Sequence, residues 1–321
     1  MSTSVQNNPL PPDSPARVEP TSVAALVGAL SRGQSAAGRR RVVFIDVDGT
    51  LMDHEIIDPL APAAIAAARA NGHLVFVCTG RSINGIDPAL GEIAFDGWVT
   101  SGGASARVGD VVVHRSTMGV QAVQRMIDFF EEHQIQYILE SDEGVYCSSA
   151  VRELFETFWR ERLAHHAEEM AAIGFDLDTS DRERFLHFLP LEQVDLETVS
   201  KATFISRESD SYEFSFSHLG SSYHLVPGSI PMPGGSSGEI SALGITKATG
   251  IEAILAYLGM DAVDAIGIGD SCNDVEMFDL CGVAVAMGNA SPELQAKADY
   301  VTTPVLKGGV RDALRHFGLI D

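Results

Sequence analysis

The sequence predicts an α/β protein: a doubly wound, Rossmann-like parallel sheet interrupted by an inserted α/β segment. Short apolar runs at 42–45, 74–78 and 263–268 each lead into a polar, Gly-containing loop, the pattern of strands buried on both faces of a parallel sheet. Helical stretches at 59–70 and 247–258 stand between or before such runs and give strand–helix–strand alternation. Residues 118–236 break that alternation, which resumes afterwards.

Taken in order, residues 1–38 are rich in Ser, Pro, Asn and Ala without a sustained period. They read as a mostly disordered tail in which 21–30 could form one short helix capped by Thr21. Residues 39–117 and 237–321 read as the two halves of a core domain. The first half contains the run Val42-Val43-Phe44-Ile45, the Ala-rich helix, a stop at Gly72, and the run 74–78 ending in Thr79-Gly80-Arg81. The second contains helix 247–258, strand 263–268, the loop 269–274, strand 283–286, a helix from Pro292 and strand 300–302. The insert, 118–236, opens with an amphipathic helix at 120–133 and a strand at 137–140, and ends in the Pro/Gly-rich return 227–235. Met118, Met126, Phe129 and Phe130 are expected to pack the insert's sheet.

Forty-four acidic against 22 basic residues give a net charge of -22, which repels nucleic acid and anionic lipid. No apolar stretch approaches the roughly 20 residues that a membrane helix requires, and no signal peptide is expected. The four cysteines are scattered without zinc-finger spacing and read as reduced thiols in a cytoplasm. The expected assembly is a monomer or homodimer. A small phosphorylated metabolite would be repelled by the same charge, so a site for one must be made positive locally by a metal, a lysine or helix N-termini.

In an open parallel sheet, ligands bind outside the carboxyl ends of the strands. Asp46/Asp48, Thr79 and Asp270/Asp274 all follow apolar runs and should converge there. Two carboxylates separated by one residue can serve as nucleophile and general acid or base, and Gly49 permits the turn that aims both inward. Asp270 and Asp274 add hard oxygen ligands of the kind Mg²⁺ prefers, or cap the following helix. Lys247, in the first turn of its helix, opposes the helix dipole unless an anion is near, which favours phosphate contact. Arg81 has two readings, a carboxylate partner at the crevice rim or a substrate contact. His165-His166 are adjacent and so point about 100° apart on a helix; with His187 they are assigned surface or packing roles.

The run Asp46-Val47-Asp48-Gly49-Thr50, the threonine after the second strand, Lys247 and the loop Gly269-Asp270-Ser271-Cys272-Asn273-Asp274 resemble, in that order, the haloacid dehalogenase-like superfamily. Thr79-Gly80-Arg81, 269–277, Ala286-Met287-Gly288-Asn289-Ala290 and 298–301 look more narrowly like its Cof-type, type IIB capped phosphatases. The resemblance covers 41–116 and 239–321; the middle fits that group's α/β cap by position. It implies that Asp46 attacks phosphorus and that Asp48 protonates the leaving alcohol and then activates water. It further implies phosphate or substrate contacts from Thr79, Gly80, Arg81, Lys247 and Asn273. Mg²⁺ would be held by the Asp46 side chain, the Asp48 main-chain carbonyl and Asp270, with Asp274 in support. Gly102-Gly103-Ala104 stands where the family usually has Asn-Gly-Ala, and Ala248 where a glycine commonly follows the lysine. A phosphosugar mutase of the same superfamily and a non-catalytic phospholigand-binding protein are the rival readings. A dehalogenase is disfavoured because it has no need of an acid at position 48.

Overall fold

A computed structural model describes residues 39–53, 56–157, 187–206, 208, 210–228 and 236–321. The tail 1–38, its candidate helix, His165-His166 and most of the Pro/Gly return lie outside the described residues.

The core begins with β1 (Val42–Ile45), a two-residue hairpin, β2 (Met52–Asp53) and β3 (Ile56–Ile57), and helix α1 (Ala61–Ala70). Next come β4 (Leu74–Cys78), helix α2 (Pro88–Gly91) and β5 (Gly97–Thr100). The hairpin β6 (Ser105–Val108) and β7 (Val111–Arg115) closes this half. The chain then builds α3 (Val120–Glu132), β8 (Gln136–Glu140), β9 (Val145–Cys147), β10 (Phe188–Pro190) and β11 (Lys201–Ser206). Helix α4 (Ser211–Leu219), β12 (Tyr223–Pro227) and β13 (Ser236–Ala242) follow. It returns through α5 (Lys247–Leu258), β14 (Ala265–Gly269), α6 (Val275–Leu280) and β15 (Val283–Ala286), and ends with α7 (Pro292–Gln295), β16 (Tyr300–Val301) and α8 (Gly309–His316).

The first sheet has eight strands in the order β16-β15-β14-β1-β4-β5-β6-β7. Six are parallel, and β6 and β7 extend one edge antiparallel. Residue alternation along β1 explains the double winding. Val43 and Ile45 join the cluster under α1 and α8, whereas Val42 and Phe44 join the cluster under α5 and α6. Because both faces are covered, the strand reads as an unbroken apolar run. The strand order reverses at β1, so the crevice opens at the carboxyl ends of β1, β4 and β14.

The second sheet has the order β10-β9-β8-β11-β13-β12. Here the faces differ. Ala202, Phe204, Leu225 and Ile240 pack with Met118, Met126 and Phe130 in an apolar cluster that Phe129 borders. Lys201, Thr203, His224 and Glu239 alternate with those residues and therefore occupy the opposite face.

The second sheet extends beyond the expected boundary at 236/237: Ser236–Ala242 pairs antiparallel with both β11 and β12, so the second sheet's chain runs on through Ala242. The run Ser-Ser-Gly-Glu-Ile-Ser-Ala carries a single large apolar residue, and its strand character comes from the two neighbours that take up its backbone groups. Strand 263–268 begins instead at Ala265, after a 3₁₀ turn at Ala262–Asp264.

Gly103 shows how the two halves meet. At φ +104°, a Cβ there would lie 1.8 Å from the Thr246 carbonyl oxygen, immediately before Lys247. Gly103→Ala is expected to cost about 2–4 kcal/mol in urea unfolding, whereas Gly102→Ala, with open space around it, should cost about 1 kcal/mol through its positive φ. Equal losses at the two positions would show that close approach to Thr246 is not the constraint.

Candidate active site

The site grows from the end of β1. The Asp46 N–H donates to the Ile268 carbonyl at 2.9 Å, extending the β1–β14 ladder by one residue and holding the aspartate, 3% exposed, at the crevice. The backbone then folds tightly: the N–H groups of Thr50, Leu51 and Met52 all point to the Val47 carbonyl at 3.2, 2.9 and 2.9 Å. Gly49 sits in this turn at φ +82°, and a Cβ would fall 2.1 Å from Asp270 Oδ2. The glycine thus serves the turn and also leaves space for the carboxylate arriving from β14.

Lys247 enters from the N-terminus of α5, where Thr246 and Thr249 form a capping box. Its Nζ lies 2.6 Å from Asp46 Oδ1, 2.6 Å from Asp274 Oδ1 and 3.3 Å from Asn273 Oδ1. The Asp274 Oδ2 accepts from the N–H groups of Asp270 and Ser271 at 2.9 and 3.1 Å. Both oxygens of Asp274 are therefore engaged, and this residue ties the lysine to the loop that carries Asp270. The Thr50 hydroxyl donates to Asp270 Oδ1 at 3.2 Å. Asn273 Oδ1 also accepts from Ser271 Oγ at 2.8 Å.

Thr79, fully buried at the end of β4, accepts the Arg81 N–H on its hydroxyl at 3.1 Å. The Gly80 carbonyl accepts from Lys201 Nζ at 2.6 Å. Arg81 embraces Asp48 through Nη2–Oδ1 at 2.5 Å and Nε–Oδ2 at 2.9 Å. Of its two expected roles, the structure thus gives Arg81 the carboxylate partner.

Asp46, Asp270 and Asp274 offer carboxylate oxygens that all lie within 4.8 Å of one another. Burial, partly offset by Lys247 and reinforced by Asp274, Asp270 and Asp48, holds the Asp46 carboxyl well above the usual range. The Asp270 carboxyl is pushed up to about 7, first by burial and next by Asp274, against the pull of Lys247 and Thr50. Burial alone would lower Lys247, but Asp274 and Asp46 outweigh it and hold its ammonium well above the ordinary lysine value. Three carboxylates thus face one ammonium. A hard divalent cation suits this set in both donor chemistry and charge, with Asp46 and Asp270 the oxygens best placed for it and Asp274 committed to hydrogen bonds.

Sequence reasoning gave no role to several residues that shape the site. Asn289 donates to the Gly49 carbonyl at 2.9 Å and accepts from the Val305 N–H at 2.8 Å, clamping the turn after β1; its only sequence signal is the run 286–290. Lys201, His224 and Glu239 reach the crevice from the second sheet, and only strand register brings them there.

The doubly wound sheet and the acidic cluster at its strand ends define an α/β enzyme that carries its chemistry at the topological switch point. Residues 43–314 match the family model for haloacid dehalogenase-like hydrolases, and the chain belongs to that family. It is 27% identical over 282 residues to YkrA of Bacillus subtilis (strain 168), provisionally named a phosphatase, covering 87% of this chain and 98% of that protein. It is 26% identical over 282 residues to the 5-amino-6-(5-phospho-D-ribitylamino)uracil phosphatase YcsE of the same organism, covering 87% and 96%. A solved structure described as a subclass IIB sugar phosphatase of the superfamily is 25% identical, with TM-score 0.68, over 87% of this chain and 100% of that one.

The raised Asp270 carboxyl has a consequence for stability. Its folded value near 7 exceeds the roughly 3.9 of an unfolded aspartate, so the fold favours the protonated form. That stabilisation is complete below about pH 4 and is lost as pH rises through 7. In metal-free protein, Tm should fall between pH 5 and 8, and Asp270→Asn should flatten the fall. Identical slopes in the two proteins would remove Asp270 as its source.

Proposed function

We propose that the protein is a Mg²⁺-dependent phosphatase that hydrolyses a small organic phosphate monoester, a sugar phosphate or similar polyol phosphate, through an aspartyl-phosphate on Asp46. One observation carries the reading: a buried strand-end aspartate, beside a second carboxylate, is held 2.6 Å from a buried lysine that lines a cleft. The names of YcsE and of the sugar phosphatase neighbour support the phosphate-ester class.

In this reaction an Asp46 oxygen forms a bond to phosphorus as the ester P–O bond breaks in line, and Asp48 gives its proton to the departing oxygen. Water then attacks the phosphoryl group, passing its proton to Asp48, and the P–O bond to Asp46 breaks to release inorganic phosphate. Lys247 orients Asp46 for attack, and with the Thr79 hydroxyl and the Asn273 side chain offers donors to phosphoryl oxygens. Asp46, Asp270 and the main chain of Asp48 would hold Mg²⁺, which would supply positive charge against the phosphoryl oxygens and carboxylates. Asp274 supports it by fixing the 270–271 backbone. Arg81 forks onto both oxygens of Asp48, a contact that must loosen when Asp48 serves as acid.

The segment from 118 through Ala242 acts in this scheme as the cap that closes over the leaving group and sets specificity. The free cysteines, Cys78, Cys147, Cys272 and Cys281, suit a cytoplasmic enzyme, and no helix among the described residues is long and apolar enough to cross a membrane.

Asp46→Asn should reduce phosphate release by about 10³-fold or more while leaving the fold intact, measured over a panel that includes sugar phosphates, flavin mononucleotide and pyridoxal phosphate. Turnover that survives this substitution would overturn the covalent route. Excess chelator should abolish activity and Mg²⁺ restore it; full activity in chelator would remove the metal from the scheme.

A further inference from the structure

Between the carboxyl ends of the core strands and the polar face of the second sheet lies a cleft open to solvent, with about 390 Å³ of empty space, open solvent included. Lys247, whose Nζ lies 2.6 Å from Asp46 Oδ1, marks its phosphoryl end. A leaving group departing from that end meets Lys201, His224, Glu239 and Glu276. None of the described lining residues carries a six-membered aromatic ring, and Val226 is the only aliphatic hydrophobic side chain among them. Hydrogen bonding and charge, rather than stacking, therefore decide what is held there.

The charges are unequal in availability. Lys201 is 4% exposed, and its Nζ lies 2.6 Å from the Gly80 carbonyl oxygen, 2.9 Å from Glu239 Oε2 and 3.6 Å from Glu140 Oε1. Thr203 also donates to Glu140 at 2.9 Å. This ammonium faces two carboxylates, as Lys247 faces Asp46 and Asp274. Both cations of the cleft wall are thus neutralised within the protein. Glu276, on the first turn of α6, pairs with no cation among the described residues. Glu276 and Glu239 both line the cleft.

Resting on the phosphatase reading above, we propose that Glu239 and Glu276 are specificity-determining residues: the cleft admits a leaving group bearing neutral hydroxyls or an ammonium and turns away one bearing a second anionic group. Hydroxyls would donate to the two carboxylates and exchange hydrogen bonds with His224 and Ser241. A carboxylate or second phosphate would face them with no unspent cation in the described wall, at a separation where water screens poorly. The phosphoryl group's own charge would be met at the other end, where Asp46 and Asp270 would hold Mg²⁺.

The test compares kcat/KM at fixed ionic strength for glucose 6-phosphate, glucosamine 6-phosphate and 6-phosphogluconate, with p-nitrophenyl phosphate as a leaving group that needs little from the cleft. The two uncharged or amino esters should exceed 6-phosphogluconate by about tenfold or more. Glu276→Gln and Glu239→Gln should each narrow that ratio by raising 6-phosphogluconate turnover, a gain that a misfolded variant cannot show. High salt should narrow it in the wild-type protein. With p-nitrophenyl phosphate hydrolysed, no preference for the uncharged and amino esters over 6-phosphogluconate, or a ratio unmoved by both substitutions, overturns the proposal alone. No phosphate released from any of the four esters overturns the phosphatase reading and this inference with it.

Discussion

The ammonium of Lys247, buried between Asp46 and Asp274, is the interaction on which the site depends. A cation taken this far out of water is tolerated only because two carboxylates and an amide oxygen receive it, and each carboxylate is tolerated because of the cation. The pair is built from three distant parts of the chain: the end of β1, the start of α5 and the loop after β14. The lysine thereby joins the two halves of the core that the insert separates. The close pass of Gly103 beside Thr246 and the capping box at Thr246 both serve to deliver it. Asp274 spends its remaining oxygen on the backbone of Asp270 and Ser271, so the position of one metal-suited carboxylate is coupled to that of the nucleophile candidate.

A second buried lysine repeats this arrangement at the other wall. Lys201 joins the second sheet to the core through the Gly80 carbonyl, between Thr79 and Arg81, with Glu239 and Glu140 balancing its charge. Asn84 adds a contact at this boundary, donating to the Ser141 and Asp142 carbonyls at 3.3 and 2.9 Å. Asp142 in turn accepts from Ser105 at 3.1 Å and pairs with Arg107 and Arg115. The antiparallel hairpin β6–β7, which left little mark on the sequence pattern, thus supports the loop between β8 and β9. The polar face of the second sheet is held over the strand ends by ion pairs and carbonyl contacts rather than by an apolar interface, an arrangement that can be made and broken as substrate enters and product leaves.

The elements that sequence made legible are those whose signal is local. Val42-Val43-Phe44-Ile45 is apolar at every position because it is covered on both faces, and helix 247–258 stands within the bounds the pattern gives. The strand at 236–242 was not legible in that way. It has little apolar content and exists because β11 and β12 flank it. Arg81 was equally open from sequence, since a guanidinium near a strand end serves substrate or carboxylate alike; the structure shows its fork on Asp48.

By itself the sequence determined the fold class, the family, and the order of residues able to gather at the strand ends, because burial pattern and motif spacing are properties of the chain alone. Only the tertiary structure decided which oxygen faces which nitrogen: that Asp274 is spent on Lys247 and the backbone, that Asn289 clamps the turn at Gly49, and that Lys201, His224 and Glu239 form the far wall. Those relations depend on strand register and on distances between segments as many as 240 residues apart. No local pattern encodes them, because the energy of a buried charge is fixed by the neighbours that folding brings to it.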